Sequence, residues 1–239
     1  MTDIRFLGQS CFELIDGSTR VLVDPFLKPN NPISPVTGDE LEDPTQILVS
    51  HGHADHVADA AGVAKRTGAP LAAIVELAHW FDALGVENTS DPCLGGTVTF
   101  DGGWAKMVQA FHTNTAPGGG DDPFSAETGV PIGQAAGWVI RVGETTIYHT
   151  GDTCLFGDMR LIAERTPVDV ALVPIGGHYT MDRHDAVAAV DLIRPQVVIP
   201  MHYNTFPAIE TDVEAFKSEV ESQTSSSCVV LAPGETHVI

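Results

Sequence analysis

An α/β fold of two facing sheets with helices on the outer faces is what the order of elements along these 239 residues predicts. Three observations carry it. Apolar runs of strand length lead the chain, strands and helical patterns then alternate, and the same order is given a second time after a glycine-rich break. The expectation is a single domain over residues 1–239, built as two fused halves of roughly 1–136 and 137–239. An apolar content of 43% is enough for a sizeable core at this length.

The first half opens on strand-like runs at 4–7, 11–15 and 20–23. A run at 47–50 then leads through a helical pattern at 57–67 to another at 71–74, and a helical pattern at 76–84 leads to strands at 98–100 and 106–111. Beyond the break, runs at 137–142 and 144–148 are followed by 170–174, 197–201, 228–231 and 237–239, with helical patterns at 158–164, 182–193 and 212–222. Asp182 is a fitting N-cap for the helix at 182–193 and Pro195 a fitting stop. Two stretches lack any period: 28–43, with Pro29, Pro32, Pro35 and Gly38, and 116–134, which begins Pro117-Gly118-Gly119-Gly120-Asp121-Asp122. No short repeat is visible.

Charge narrows the choice of function. The formal net charge is −20, and only four of the basic residues are lysines. Such a field repels nucleic acid and anionic membrane surfaces, and no basic stripe offsets it. No stretch approaches the roughly 18 apolar residues a membrane span needs. The start of the chain leads directly into a strand, without the basic and apolar regions of a signal peptide, so a cytoplasmic protein is expected. Cys11, Cys93, Cys154 and Cys228 show no paired spacing and read as free buried thiols in a reducing compartment.

The chemistry is concentrated in His51-Gly52-His53-Ala54-Asp55-His56. Four side chains able to bind a metal follow the apolar run Ile47-Leu48-Val49 within six residues. Alternation at a strand end would turn His51 and His53 to one side, where both imidazoles reach one ion. Asp55 and His56 fall where a helical pattern starts, so they point elsewhere and could serve a second ion. A polar loop with solvated histidines is the competing reading, and the density of ligand types argues against it.

The H-x-H-x-D-H order resembles the metallo-β-lactamase superfamily. That resemblance implies an αββα sandwich of two mixed sheets and three further ligands: a lone His after a later strand, a bridging Asp, and a final His near the end of the chain. His112, Asp152 and His202 stand in those places. The implied sets are His51, His53 and His112 for one ion and Asp55, His56 and His202 for the other, with Asp152 shared. The loop at 116–134 follows His112, so it starts at the site and is expected to cover the substrate rather than serve as a solvated connector.

A closer resemblance, over about residues 4–216, is carried by Gly8-Gln9-Ser10, Asp24-Pro25-Phe26, Tyr148-His149-Thr150-Gly151-Asp152-Thr153, Pro174-Ile175-Gly176-Gly177-His178-Tyr179-Thr180-Met181 and Pro200-Met201-His202-Tyr203-Asn204-Thr205-Phe206-Pro207. These look like the metal-dependent hydrolases related to L-ascorbate-6-phosphate lactonase. Two departures stand near the expected pocket: Thr113-Asn114-Thr115 where members often carry serines, and Gly177 where they often carry Asp. Metal binding therefore transfers better than substrate choice.

What the resemblance implies is hydrolysis of an ester-like bond, above all a lactone of a small polar metabolite, using two divalent cations, zinc or manganese with iron as a further candidate. Asp55 and Asp152 are the expected catalytic carboxylates, and Asp55 could carry a proton. His178 ends a strand-like run in a glycine-rich loop and is expected to contact substrate or donate in the transition state. Asn204 and Thr205, close behind His202, are expected to touch substrate. Asp24 reads equally as a carboxylate orienting a ligand imidazole or as a turn residue before proline. His149 reads as a core or supporting histidine; His79, His184 and His237 read as surface positions. Cys154 could line the site or fill the core. A phosphodiesterase of small nucleotides and a non-catalytic metal-binding protein are the alternatives. The resemblance also implies a small-molecule substrate and homo-oligomerisation.

Overall fold

The computed structural model describes residues 1–118 and 129–239. The middle of the expected covering loop, 119–128, lies outside the described residues. The chain begins with an antiparallel meander, β1 (Asp3–Gly8), β2 (Cys11–Asp16) and β3 (Thr19–Val23). Three short strands then add in parallel: β4 (Gln46–Leu48), β5 (Leu71–Ala72) and β6 (Thr89–Ser90). Helices α1 (Ala54–Val57), α2 (Ala60–Thr67) and α3 (Val75–Ala83) lie between them in sequence.

The next strands build a second sheet on the same plan. β7 (Thr97–Phe100) and β8 (Gly103–Gln109) are followed by a small hairpin pair, β9 (Thr115–Ala116) with β10 (Val130–Pro131). β11 (Ala136–Val142) and β12 (Thr145–His149) complete the antiparallel part. β13 (Val170–Pro174), β14 (Val197–Met201) and β15 (Ser227–Cys228) then run parallel, with α4 (Met159–Arg165), α5 (Arg183–Ile193) and α6 (Val213–Gln223) between them. Finally β16 (Thr236–Val238) returns to pair with β1. Among the described residues both sheets have seven strands, ordered β16-β1-β2-β3-β4-β5-β6 and β15-β14-β13-β12-β11-β8-β7. The change from first to second sheet falls between β6 and β7.

Strand periodicity explains how the layers hold together. In β11, Trp138, Ile140 and Val142 join the core between the sheets, while Val139 joins a second cluster beneath the helices. Likewise Val170 and Leu172 of β13 face inward, and Ala171 and Val173 pack with Met159, Ala189 and Phe216 from the helices. A strand buried on both faces reads as an unbroken apolar run, which is why β13 and β14 were legible end to end. The Trp138 indole donates across the sandwich to the Val49 carbonyl at 3.1 Å.

The departures from expectation have local causes. The helix expected at 57–67 is two: Asp59 is drawn out of line by the loop after β3, accepting from the Leu27 amide at 2.7 Å and from Asn30 at 3.0 Å. β4 stops at Leu48 because the Ser50 amide bonds the Asp24 carboxylate at 2.7 Å instead of a neighbouring strand. Stretch 28–43 is tied down by Arg66, which donates to Asp43 at 2.8 Å and to the Gly38 carbonyl at 3.0 Å. Two cysteines depart from the expected burial: Cys11 and Cys228 are buried, but Cys93 and Cys154 are exposed. Asp182 caps α5 as read, accepting from the His184 and Asp185 amides.

Candidate metal centre

Asp24 ends β3 with a left-handed backbone, φ 47°, and no solvent exposure. Its Oδ1 accepts from the Ser50 amide at 2.7 Å, and its Oδ2 accepts from the Ser50 hydroxyl at 2.6 Å. The same Oδ2 lies 2.7 Å from His56 Nδ1. Because the Ser50 hydrogen is committed to Asp24, its oxygen accepts from His51 Nδ1 at 3.0 Å. One carboxylate thus places the proton of both rings on Nδ1 and turns both Nε2 lone pairs to the centre. Of the two readings open for Asp24, the orienting carboxylate is the one the geometry supports.

The loop between these histidines is held from above. Asn114 accepts from the Gly52 amide at 2.7 Å and donates to the Gln134 carbonyl at 2.9 Å. A Cβ at residue 52 would sit 3.0 Å from the Thr115 carbonyl oxygen, so the close approach needs glycine. His53 occupies the position before α1, which puts Asp55 and His56 in the first helical turn. Asp152 follows β12 through Gly151, at φ 64°, where a Cβ would collide with the Ala136 carbonyl. His202 ends β14 at φ 54°, its amide donating to the Gln9 carbonyl at 2.8 Å. Gln9, itself at φ 59°, donates its side-chain amide to Asp55 Oδ2 at 2.8 Å. Gln9, Asp24 and His202, all in the left-handed region, surround one point, where such strain commonly accompanies function.

The seven side chains converge as two groups. His51 Nε2 and His112 Nε2 lie 3.0 and 3.3 Å from His53 Nδ1. On the other side, Asp55 Oδ2 lies 3.4 Å from His202 Nε2 and 3.7 Å from His56 Nε2. Asp152 Oδ2 stands between the groups, 2.9 Å from His202, 3.5 Å from His56, 3.8 Å from His112 and 4.0 Å from His51. His51, His53 and His112, and likewise Asp55, His56 and His202, have donor atoms mutually within 4.8 Å.

The donor set fits cations. His56 Nε2 and Asp152 Oδ1 are buried without a hydrogen-bond partner, a cost that a coordinated ion would remove. Burial, reinforced by the charge of His56, holds His51 well below the usual histidine range. Burial and His112 bring His53 down to about 4, and burial lowers His112. These three are therefore neutral and ready to ligate. Across the centre burial is outweighed: Asp152, Asp55 and Asp24 hold His56 well above its ordinary value, and Asp152 with Asp55 raises His202 to about 9. Asp55 and Asp152 are both held low against burial, Asp55 chiefly by His56 and Asp152 chiefly by His202.

A cavity of about 490 Å³ opens onto His53, Asp55, His112, Asp152 and His202, with Thr113, Tyr179, Phe206 and Ala208 as its outer wall. His51 and His56 lie beneath it, fully buried. Three of the residues expected at the substrate are placed elsewhere. His178 is exposed and packs edge-on against Tyr179, centroids 4.5 Å apart, and it is Tyr179 that reaches the wall. Asn204 is exposed and its side chain accepts from the Thr211 amide at 2.8 Å. The Thr205 hydroxyl reaches the Tyr203 carbonyl at 3.5 Å, and neither residue lines the cavity. Cys154 faces solvent and does not line it either. His149 is a buried supporting histidine: Nδ1 accepts from the Gly151 amide at 3.2 Å, so Nε2 donates to the Ser10 carbonyl at 3.0 Å. His79 and His184 are exposed and His237 half-buried.

Comparison with known proteins agrees with this architecture. A family model described as a beta-lactamase superfamily domain matches residues 3–202. A UPF0173 metal-dependent hydrolase of Symbiobacterium thermophilum is 44% identical over 99% of both chains. One from Methanopyrus kandleri is 43% identical over 98% of both. Among solved structures, a metallo hydrolase of the archaeon Ignicoccus hospitalis superposes with TM-score 0.84 at 34% identity, covering 99% of this chain and 97% of its own. A possible metal-dependent hydrolase of Veillonella parvula, 19% identical with TM-score 0.77 over the whole of both chains, shares the fold.

Proposed function

This chain belongs to the metallo-β-lactamase superfamily, among its UPF0173 metal-dependent hydrolases, and we propose that it cleaves an ester-like bond, a lactone above all, with two divalent cations. The observation that carries the reading is the pair of ligand triads meeting at one carboxylate, Asp152. His51, His53 and His112 would hold one cation and Asp55, His56 and His202 the other, with Asp152 reaching both. Bound there, such ions polarise a carbonyl and lower the pKa of a water from 15.7 toward about 7.

The chain's own residues do the rest. Asp24 fixes the protons of His51 and His56 on Nδ1, so the lone pairs stay aimed at the centre. Gln9 pins Asp55 Oδ2, and that carboxylate faces the cavity. Asp55 can then carry a proton from the attacking water to the oxygen that leaves. In the balanced reaction water's oxygen joins the acyl carbon, the carbon–oxygen ester bond breaks, and one proton of that water ends on the departing alcohol.

Nitrogen and carboxylate donors suit zinc, manganese or iron alike. The reading is tested with protein loaded separately with each metal against lactones, phosphodiesters and thioesters. Turnover of lactones that a chelator abolishes and added metal restores is expected. Preferred phosphodiester turnover would replace the lactone reading, and metal-loaded protein inactive on every class would favour a binding protein.

A further inference from the structure

Resting on the hydrolase reading, we infer that the substrate is uncharged away from its scissile bond and presents an aromatic ring to Tyr179 and Phe206. The outer wall supplies the argument. Tyr179 is 56% exposed and stands at the mouth. Phe206 lines the same cavity and is braced from behind by the buried Phe26, ring centroids 6.5 Å apart. Ala208 and Thr113 add small, uncharged surface. About 490 Å³ is room for a ring and a short ester or lactone, within the ordinary size of a small-molecule site.

The placement of positive charge rules out the rival. A phosphate far from the reacting bond would need its own cation, and the chain has 12 Lys and Arg. None lines the cavity. Arg5 and Arg20 pair with Glu13, Arg66 with Asp43, Arg141 with Glu144 and Arg183 with Glu219. Residues 119–128 contribute no Lys or Arg by sequence, and they carry Asp121, Asp122 and Glu127. A remote anion would therefore meet aromatic carbon with no cation beside it. An aromatic ring instead meets two rings able to pack on it.

The test uses metal-loaded protein and three probes: dihydrocoumarin, its 6-phosphonooxy derivative and δ-valerolactone. The remote phosphate is expected to lower kcat/KM by about tenfold or more. Tyr179→Ala and Phe206→Ala are each expected to lower the dihydrocoumarin-to-valerolactone ratio of kcat/KM by about three- to tenfold, through KM, at unchanged metal content. Tyr179→Arg, at an exposed position that folding does not depend on, should shift preference toward the phosphorylated probe. Equal or better turnover of the phosphorylated probe by the unaltered protein, or an unmoved ratio in the Ala variants, overturns the inference. Should two metals be bound and no probe be cleaved, the hydrolase reading falls. Calorimetry with dihydrocoumarin then decides the inference separately: binding weakened by Tyr179→Ala upholds it, and absent binding or tighter binding of the phosphorylated compound defeats it.

Discussion

On one side of Asp152 stand three histidines, His51, His53 and His112, whose pKa values burial pushes down; on the other, two histidines, His56 and His202, are pushed up by Asp55 and Asp152. The first side is neutral before any ion arrives. The second exchanges protons for its ion, so its affinity depends on pH over the range where those imidazoles titrate. Carboxylate oxygen on that side also favours the harder of two available ions. The two sides are nonetheless oriented together, since Asp24 sets the ring of His56 directly and that of His51 through Ser50.

Removing what the sides share should have the largest effect. Asp152→Asn takes away the charge between them, and we expect metal content to drop on both sides and turnover to fall about 10³-fold. Full activity at normal metal content would break the comparison. Asp24→Asn comes next: a loss of about 10–100-fold in metal affinity or activity is expected, affecting both ions. Ser50→Ala should affect only the His51 side. Metal titrations of the two variants separate the cases, and an equal loss on both sides in Ser50→Ala would show that the relay does not run as drawn.

A smaller effect is expected of Gln9→Ala, which frees Asp55 Oδ2 while leaving the three-histidine side alone. We expect a several-fold loss of activity, on the order of one hydrogen bond to a charged group, with one ion held normally. The smallest effect concerns the metal-free protein. His53, lowered to about 4, makes the fold gain stability as pH rises from about 4 to 6.5, because the unfolded chain binds that proton more tightly. His202, raised to about 9, contributes stability that is present below 6.5 and lost as pH rises through 9. Thermal unfolding should thus be best resisted near pH 6.5 without metal. A melting temperature flat between pH 4 and 9 would contradict the opposed titrations.

The sequence revealed what repeats or clusters locally. β13 and β14 are continuous apolar runs, and α5 is announced by Asp182 and stopped by Pro195. The two-residue strands β6, β9 and β10 are too short to carry a period, and the break between α1 and α2 is made by a loop more than 25 residues away, through Asp59. His51 to His56 announced themselves by density; His112, Asp152 and His202 needed a family pattern. Gln9, Ser50 and Asn114 went unassigned because their roles exist only as tertiary hydrogen bonds. Beside His202 the cavity is lined by residues the sequence did not single out. Proximity in sequence pointed to Asn204 and Thr205, but the left-handed turn at His202 and Asn204 sends Asn204 outward and brings Phe206 to the cavity.

Crystals grown with zinc or manganese and measured at the absorption edge of the metal would test the centre most directly. The account predicts two anomalous peaks about 3.5–4 Å apart, one among His51, His53 and His112, the other among Asp55, His56 and His202, with Asp152 reaching both. A single peak, or metal bound away from Asp152, would contradict it.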